Sequence, residues 1–378
     1  MINHVRPRTS DQSRSADSRE RASGGLARSH HDVERGDGSL GFRIVEGAHH
    51  SEEPAEGFVR ALGKWLKAVG RSSRVVGWFS RPACRVLSQV MRRLPPSRRP
   101  MLLAVWVDNF LKYHPVAFEV TVPDGFVING TTEDYIQRRV FEFGCWEPVI
   151  ARMIRDRLEP GDTFIDIGAN IGMHTLVASQ CVGDQGCVVA IEPYWPSAQA
   201  LRRNVSMSAN DNVRIVEVAV GDRAERRVMD SFAGNIGMAR LVPRNDRGEG
   251  EPSALVPVLP LSQIVTPQEW RTCRLVKIDV EGAEFAVVSG LADLLNSCRP
   301  DLELLVEVGP RLVRLQGDDA AALVSLLQDA GFRSRVIRNE YSISSYCGTP
   351  DLTLDDLETL PSYQVDLLFT RTHAIGST

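Results

Sequence analysis

From Thr163 onward, short apolar runs alternate with stretches whose apolar residues recur at helical spacing. The apolar runs are Thr163–Ile167, Cys187–Ile191, Val213–Val218, Leu275–Ile278, Leu302–Val308, Phe332–Ile337 and Tyr363–Phe369. Between them, helical spacing covers Met173–Val182, Pro196–Ala209, Ala283–Leu295 and Asp319–Ala330. This rhythm predicts βαβ units and therefore an α/β fold with a Rossmann-like, seven-stranded, mostly parallel sheet. Near-continuous aliphatic stretches such as Glu303 to Val308 suit strands covered by helices on both faces. Prolines 243, 252, 257 and 260 interrupt the alternation between Val228 and Val265, so an irregular excursion with short strands is expected there, on the carboxyl side of the sheet.

Upstream of this core, Val116–Val122 and Phe126–Asn129 flank Pro123-Asp124-Gly125 and predict a hairpin. Tyr135–Phe143 and a helix over Val149–Leu158, closed by Pro160-Gly161, lead into the first core strand, so residues 116–160 read as an approach to a domain spanning 161–372. Residues 1–52 are dominated by Arg, Ser, Asp, Gly and His and hold too little apolar surface to offset the entropy of ordering, which predicts a disordered tail. Residues 53–115 read as a basic helical extension. Its stretch from Gly57 to Val107 has eleven Lys or Arg and no Asp or Glu, interleaved with Phe58, Trp65, Leu66, Trp78, Phe79, Val86 and Val90. A cationic face beside an aliphatic one suits either docking on the catalytic domain or peripheral contact with a membrane or another polyanion.

Composition narrows the class only a little. Of 378 residues, 43% are hydrophobic and 24% charged, with a net charge of −4, so nothing in the whole chain argues for a nucleic-acid partner. The seven cysteines are scattered without a C-x-x-C pair, which points to a reducing, cytoplasmic setting. No apolar run approaches the ~20 residues that span a bilayer.

Chemistry concentrates where apolar strands end. Asp166-Ile167-Gly168-Ala169-Asn170-Ile171-Gly172 carries a strand into a Gly-flanked turn, where missing Cβ atoms would let a ligand approach the backbone, and Glu192 closes the next strand, placed to meet a ribose diol. The G-x-G-x-x-G fingerprint of dinucleotide sites is absent. A single glycine turn beside a carboxylate suits a nucleoside with an amino-acid tail, and S-adenosylmethionine fits better than a nicotinamide cofactor.

Together with Glu192-Pro193, Asn204-Val205, Ala219-Val220-Gly221-Asp222, Lys277-Ile278-Asp279-Val280-Glu281-Gly282-Ala283-Glu284, Phe143 to Pro148 and Leu305-Val306-Glu307, that segment resembles the ordered motifs of FkbM-type methyltransferases, over roughly residues 135–310. The resemblance implies a class I methyltransferase fold and S-adenosylmethionine as cofactor. Its acceptor would be a hydroxyl of a sugar, glycolipid, polysaccharide or secondary metabolite. It implies cofactor contacts from Asp166, Gly168, Asn170, Gly172, Glu192 and Asp222. One departure stands out: where relatives usually have Leu-Asp, this chain reads Val258-Leu259-Pro260-Leu261.

A hydroxyl acceptor needs a base within hydrogen-bond reach. Asp279, Glu281, His174 and Glu307 are the candidates. Asp279, Glu281 and Glu307 could instead hold Mg²⁺, and Glu284 sits where a carboxylate stabilises a helix N-terminus. No Asn-Pro-Pro-Tyr or Pro-Cys signature of nucleic-acid methylation occurs. The competing reading is a membrane- or polyanion-binding protein that uses residues 57–107 and carries a degenerate methyltransferase domain.

Overall fold

The computed structural model describes residues 74–208, 211–232, 235–243 and 254–371. The expected disordered tail, the histidine pairs at 30–31 and 49–50 and the first part of the basic segment lie outside them.

Two helices open the described chain, α1 (Arg74–Arg93) and α2 (Met101–Tyr113), joined through Pro95, Pro96 and Pro100. The hairpin follows as β1 (Ala117–Thr121) and β2 (Val127–Thr131), paired antiparallel. Its turn closes with the Gly125 amide donating to the Val122 carbonyl at 2.9 Å, and Gly125 takes φ 93°. Helices α3 (Tyr135–Phe143) and α4 (Pro148–Arg157) then lead to the core, with Asp134 capping α3 by accepting from the Gln137 amide.

The core runs β3 (Thr163–Ile167), α5 (Met173–Val182), β4 (Cys187–Ile191), α6 (Trp195–Ser206) and β5 (Val213–Val216). Four strands follow: β6 (Ala219–Val220), β7 (Glu225–Phe232), β8 (Asn235–Leu241) and β9 (Ala254–Leu259). The chain continues as α7 (Pro267–Arg271), β10 (Cys273–Ile278), α8 (Glu284–Ser289), α9 (Ala292–Leu295), β11 (Glu303–Val308), α10 (Pro310–Leu315) and α11 (Ala320–Asp329). It ends with β12 (Phe332–Ile337), α12 (Ile343–Tyr346), β13 (Leu354–Asp356) and β14 (Val365–Arg371).

The main sheet has the order β13-β12-β14-β11-β10-β3-β4-β5, eight strands where the pattern predicted seven. The extra strand, β13, is three residues long and pairs antiparallel with β12, too short for its alternation to register in the sequence. β14 runs antiparallel between β11 and β12, and the strands from β11 to β5 are parallel. The strands expected between Val228 and Val265 are present as β7, β8 and β9, and with β6 they form a regular second sheet of order β6-β9-β7-β8 in place of an irregular excursion; Pro252 lies outside the described residues. Pro243 and Pro260 fall just beyond strand ends, and Pro257 alone of the described prolines lies within one, so proline content overstated the irregularity. The helix expected over 283–295 breaks at Gly290, whose missing Cβ lets the carbonyl of Gly221 pack against it.

Alternation splits the core across the main sheet. Phe164, Leu275, Leu305 and Leu368 pack on one face with α1, α2, α4 and α5. Ile165, Ile167, Val276, Ile278, Leu304, Val306, Leu367 and Phe369 pack on the other with residues of α8 and α11. The helical extension therefore belongs to the same core as the central strands, through Met91, Ala104, Val107 and Leu111. Buried Arg99 fastens it: its guanidinium donates to the carbonyls of Met91 (3.0 Å), Tyr346 (2.9 Å) and Phe143 (3.3 Å).

Replacing Arg99 by Met would leave several buried carbonyls without a donor, each costing about 1–3 kcal/mol. Urea denaturation of Arg99→Met should show a loss of roughly 3 kcal/mol, against less than about 0.5 kcal/mol for exposed Arg98→Met.

Candidate active site at the strand carboxyl ends

Lys277 of β10 lies in register with Asp166 of β3 on one side and Leu305 of β11 on the other, while Glu307 of β11 lies opposite Asp366 of β14. The face that carries Phe164, Leu275 and Leu305 in the core thus turns charged toward the carboxyl ends of the parallel strands. Such a change is stable only if the charges find partners.

Beyond β3 the chain makes the glycine turn. The amides of Gly168 and Ala169 both donate to the Ile191 carbonyl, at 3.0 and 3.1 Å. Glu192 braces the turn from β4: its Oε2 accepts from the Asn170 amide and its Oε1 from the Tyr194 amide, each at 2.8 Å. Asn204 of α6 donates to the Ile171 carbonyl at 2.8 Å and accepts from the Asn129 amide at 3.0 Å, tying the turn to the hairpin. Gly168 and Gly172 take φ 88° and 92°, and the missing Cβ atoms serve the protein itself. At Gly168 a Cβ would overlap the Asp279 carbonyl oxygen, and at Gly172 it would meet Leu201 Cδ1 at 2.6 Å. Gly168 thus lets the turn close on the end of β10, and Gly172 lets it close on α6.

Two polar atoms here are buried without a hydrogen-bond partner, Asp166 Oδ1 and Asn170 Oδ1. Asp166 is 1% exposed, and its other oxygen accepts from the Thr175 hydroxyl at 2.6 Å. Burial pushes its carboxyl up, against the pull of Lys277 and Thr175. An ammonium at Oδ1 would satisfy the orphaned acceptor and favour its ionised form. Glu192, pushed up to about 7 by burial, keeps further lone pairs for hydroxyl donors. These residues therefore fit a ligand with an amino-acid tail and a ribose.

Lys277 Nζ donates to Asp279 Oδ2 at 2.7 Å. Burial alone would lower this ammonium, but Asp279, Asp166 and Glu147 outweigh burial and hold it raised. The Asp279 side chain is itself 23% exposed, so its carboxylate is fixed by Lys277 and still reached from solvent. The carboxyls around it are raised. Glu147 reaches about 8 through burial and then Asp366, and Glu281 about 8 through burial and then Asp279. Glu307 lies well above the usual range through burial and then Asp279, and Asp366 reaches about 6 through burial against its bond from Asn339. Asn339 Nδ2 lies 3.1 Å from Glu147 Oε1 and 3.0 Å from Asp366 Oδ2. His174 is pushed well below its ordinary value by burial and then Lys277, so its imidazole is neutral. Its buried Nε2 has no hydrogen-bond partner and faces Glu147 Oε2 at 3.6 Å.

Among the described residues, the non-glycine residues with positive φ are Glu147 (45°), Asn170 (49°) and Glu281 (54°). All three belong to this region, and such backbone costs of order 1–3 kcal/mol each, a load that functional sites commonly carry.

The structure thus brings Asp166, Gly168, Asn170, Gly172 and Glu192 together in one turn and its brace, and places Asp279, Glu307 and His174 around Lys277. Glu281 follows Asp279 in the next turn, where Glu284 Oε1 accepts from the Gly282 amide at 2.8 Å, in keeping with its expected place at a helix start. Asp222 lies in the loop between β6 and β7, with its carboxylate 3.7 Å from the Arg223 guanidinium. Leu261, in the segment that departs from the family pattern, is fully buried in the core. Among the described residues no three His, Cys, Asp or Glu side chains are arranged to hold a metal ion. Sequence reasoning gave no role to Lys277, Glu147, Asn339 or Asp366. The available signal was a single charge inside an apolar strand, as in Leu275-Val276-Lys277-Ile278 and Val365-Asp366-Leu367.

Residues 166–334 match the model of the methyltransferase FkbM domain. No curated protein matches the chain. Solved structures similar to it include an S-adenosylmethionine-dependent O-methyltransferase from Thermotoga maritima, 13% identical, covering 70% of this chain and 81% of that one with a TM-score of 0.34. Another is an S-adenosylmethionine-dependent methyltransferase from Aquifex aeolicus, 13% identical, covering 62% and 93% with a TM-score of 0.33. An rRNA methylase from Streptococcus thermophilus is 9% identical, covering 59% and 96% with a TM-score of 0.34.

The raised carboxyls have a consequence for stability. A carboxyl whose folded value lies above its unfolded one contributes stability below the unfolded value, and that contribution is lost as pH rises through the folded value. Glu192 (about 7), Glu147 and Glu281 (about 8) place this loss between about pH 4.5 and 8. The ligand-free protein should melt at progressively lower temperature from pH 5 to pH 8 in calorimetry, and Glu147→Gln should flatten that slope. A slope unchanged in the variant would contradict the assignment.

Proposed function

We propose that this S-adenosylmethionine-dependent methyltransferase, which carries an FkbM domain over residues 166–334, methylates a hydroxyl oxygen of a sugar-bearing acceptor: a glycolipid, polysaccharide or secondary metabolite. The observation that carries this reading is Asp279, a carboxylate gripped by Lys277 at 2.7 Å yet partly exposed beside the Asp166–Gly172 turn. An acceptor hydroxyl must lose its proton during transfer, and a fixed carboxylate is suited to take it.

When bound, S-adenosylmethionine supplies a methyl group on a positively charged sulfur. Asp166 Oδ1 and Asn170 Oδ1 offer unpaired acceptors to its amino-acid end, Glu192 offers lone pairs to the ribose hydroxyls, and Asp222 is assigned to the adenine edge. Of the four candidate bases, Asp279 is assigned the proton. Glu281 and Glu307 keep their own protons near neutral pH, and burial opposes charge on His174. Protonated Glu307 and Glu147 present both donor and acceptor oxygens, which suits recognition of neighbouring hydroxyls on a sugar. Lys277 positions Asp279. In-line displacement depends on alignment, so this positioning is itself a source of rate.

Isotope transfer from labelled S-adenosylmethionine to glycan and glycolipid acceptors tests the assignment. Asp279→Asn should lower kcat by about 10²–10⁴-fold while calorimetry shows S-adenosylhomocysteine bound within a few-fold of wild type. A variant that binds the product and turns over at the wild-type rate would remove Asp279 from the role.

A further inference from the structure

The basic helical hairpin carries a feature that methyl transfer does not use. Its arginines divide into two sets. Arg92 and Arg99 turn inward, donating to the Phe141 carbonyl and to those of Met91, Tyr346 and Phe143, with their guanidinium groups over the Phe141 and Phe143 rings. Arg81, Arg93 and Arg98 are exposed and form no ion pair among the described residues. The first acid after them, Asp108, is already taken by Arg138 and Arg139, each at 2.8 Å.

The outward side of this hairpin is not only charged. Val86 and Val90, one helical turn apart on α1, are 59% and 47% exposed, and Met101 and Leu102 at the start of α2 are 43% and 46% exposed. On α1, helical geometry places Arg93 on the same outward side as Val86 and Val90, opposite Cys84, Ser88 and Met91, which are buried. Aliphatic side chains left in water beside unpaired arginines match a bilayer interface, where the apolar groups enter the headgroup boundary and the guanidinium groups meet lipid phosphates. The preceding stretch of this chain is a poor cover for the face, since residues 57–73 contribute Arg60, Lys64, Lys67 and Arg71 and no acid.

We propose that this face, built from Val86, Val90, Arg93, Arg98 and Met101, docks the protein on the anionic surface of a lipid bilayer. It acts peripherally: no helix among the described residues is long and apolar enough to cross a membrane. The surface is independent of the methyl-transfer site and of what that site methylates.

The test is co-sedimentation of the full chain with phosphatidylcholine vesicles, with and without about 30% phosphatidylglycerol, at low and high salt. Binding should need the anionic lipid and weaken with salt. The double variant Arg93→Glu, Arg98→Glu should partition on the order of 100-fold more weakly, and Val86→Ser with Val90→Ser roughly tenfold more weakly. All four positions are exposed, so both variants should melt as wild type does. Equal sedimentation of wild type and the arginine variant overturns the proposal. So does loss of binding in the arginine variant alone, if the serine variant binds as wild type and a single-stranded oligonucleotide displaces the vesicles, because that pattern marks a polyanion site.

Discussion

One buried ammonium organises the working end of this molecule. Lys277 sits on a central strand of the sheet, in register with Asp166 and bonded to Asp279, with Glu147 as a further source of opposite charge. Asp166 and Glu147 both feel the pull of Lys277 directly, each lowered by it against the push of burial. With it, Asp166 and Asp279 are held on adjacent parallel strands, on either side of the Gly168 turn, where the backbone itself is tightly closed. An unpaired buried charge is strongly destabilising, so the ammonium and the carboxylates each make the other tolerable.

The cost of this arrangement is spread over the surrounding elements. Glu147, Asn170 and Glu281 adopt left-handed backbone, and several carboxyls are pushed toward neutral pH by burial. What holds them is the packing beneath: one face of the sheet joins α1, α2, α4 and α5 in a single apolar cluster, and Arg99 stitches the hairpin to Phe143 and Tyr346. The helical extension is part of the platform under the site as well as a surface turned outward. A methyl-transfer reaction asks for placement above all, and a rigid strand-end scaffold supplies it.

Much of this was legible in the sequence, and the reasons differ from residue to residue. The central strands could be read because their aliphatic runs are uninterrupted, and the boundaries of β3, β4 and β12 follow those runs. Asp166, Glu192 and Asp279 announced themselves by standing where apolar strands end. β13 was invisible because three residues carry too little periodicity, and the β7–β9 sheet was obscured by the prolines around it. Glu147, Asn339 and Asp366 come from distant points in the chain and meet only through the antiparallel return of β14 and the loop after β12, a juxtaposition that no local pattern encodes. The glycines illustrate a subtler gap: Gly168 was recognisable as obligatory, but that its Cβ would collide with the Asp279 carbonyl is a fact of three-dimensional closure.

On the proposed function, cofactor and acceptor meet in the strand-end layer around Lys277, and a crystal structure of the protein with S-adenosylhomocysteine tests this. The product's amino group is expected against Asp166 Oδ1, its ribose hydroxyls on Glu192, and its sulfur facing the carboxylate of Asp279 across a gap wide enough for one acceptor oxygen. A product bound with its sulfur turned away from Asp279, or seated outside the Asp166–Gly172 turn, would contradict it.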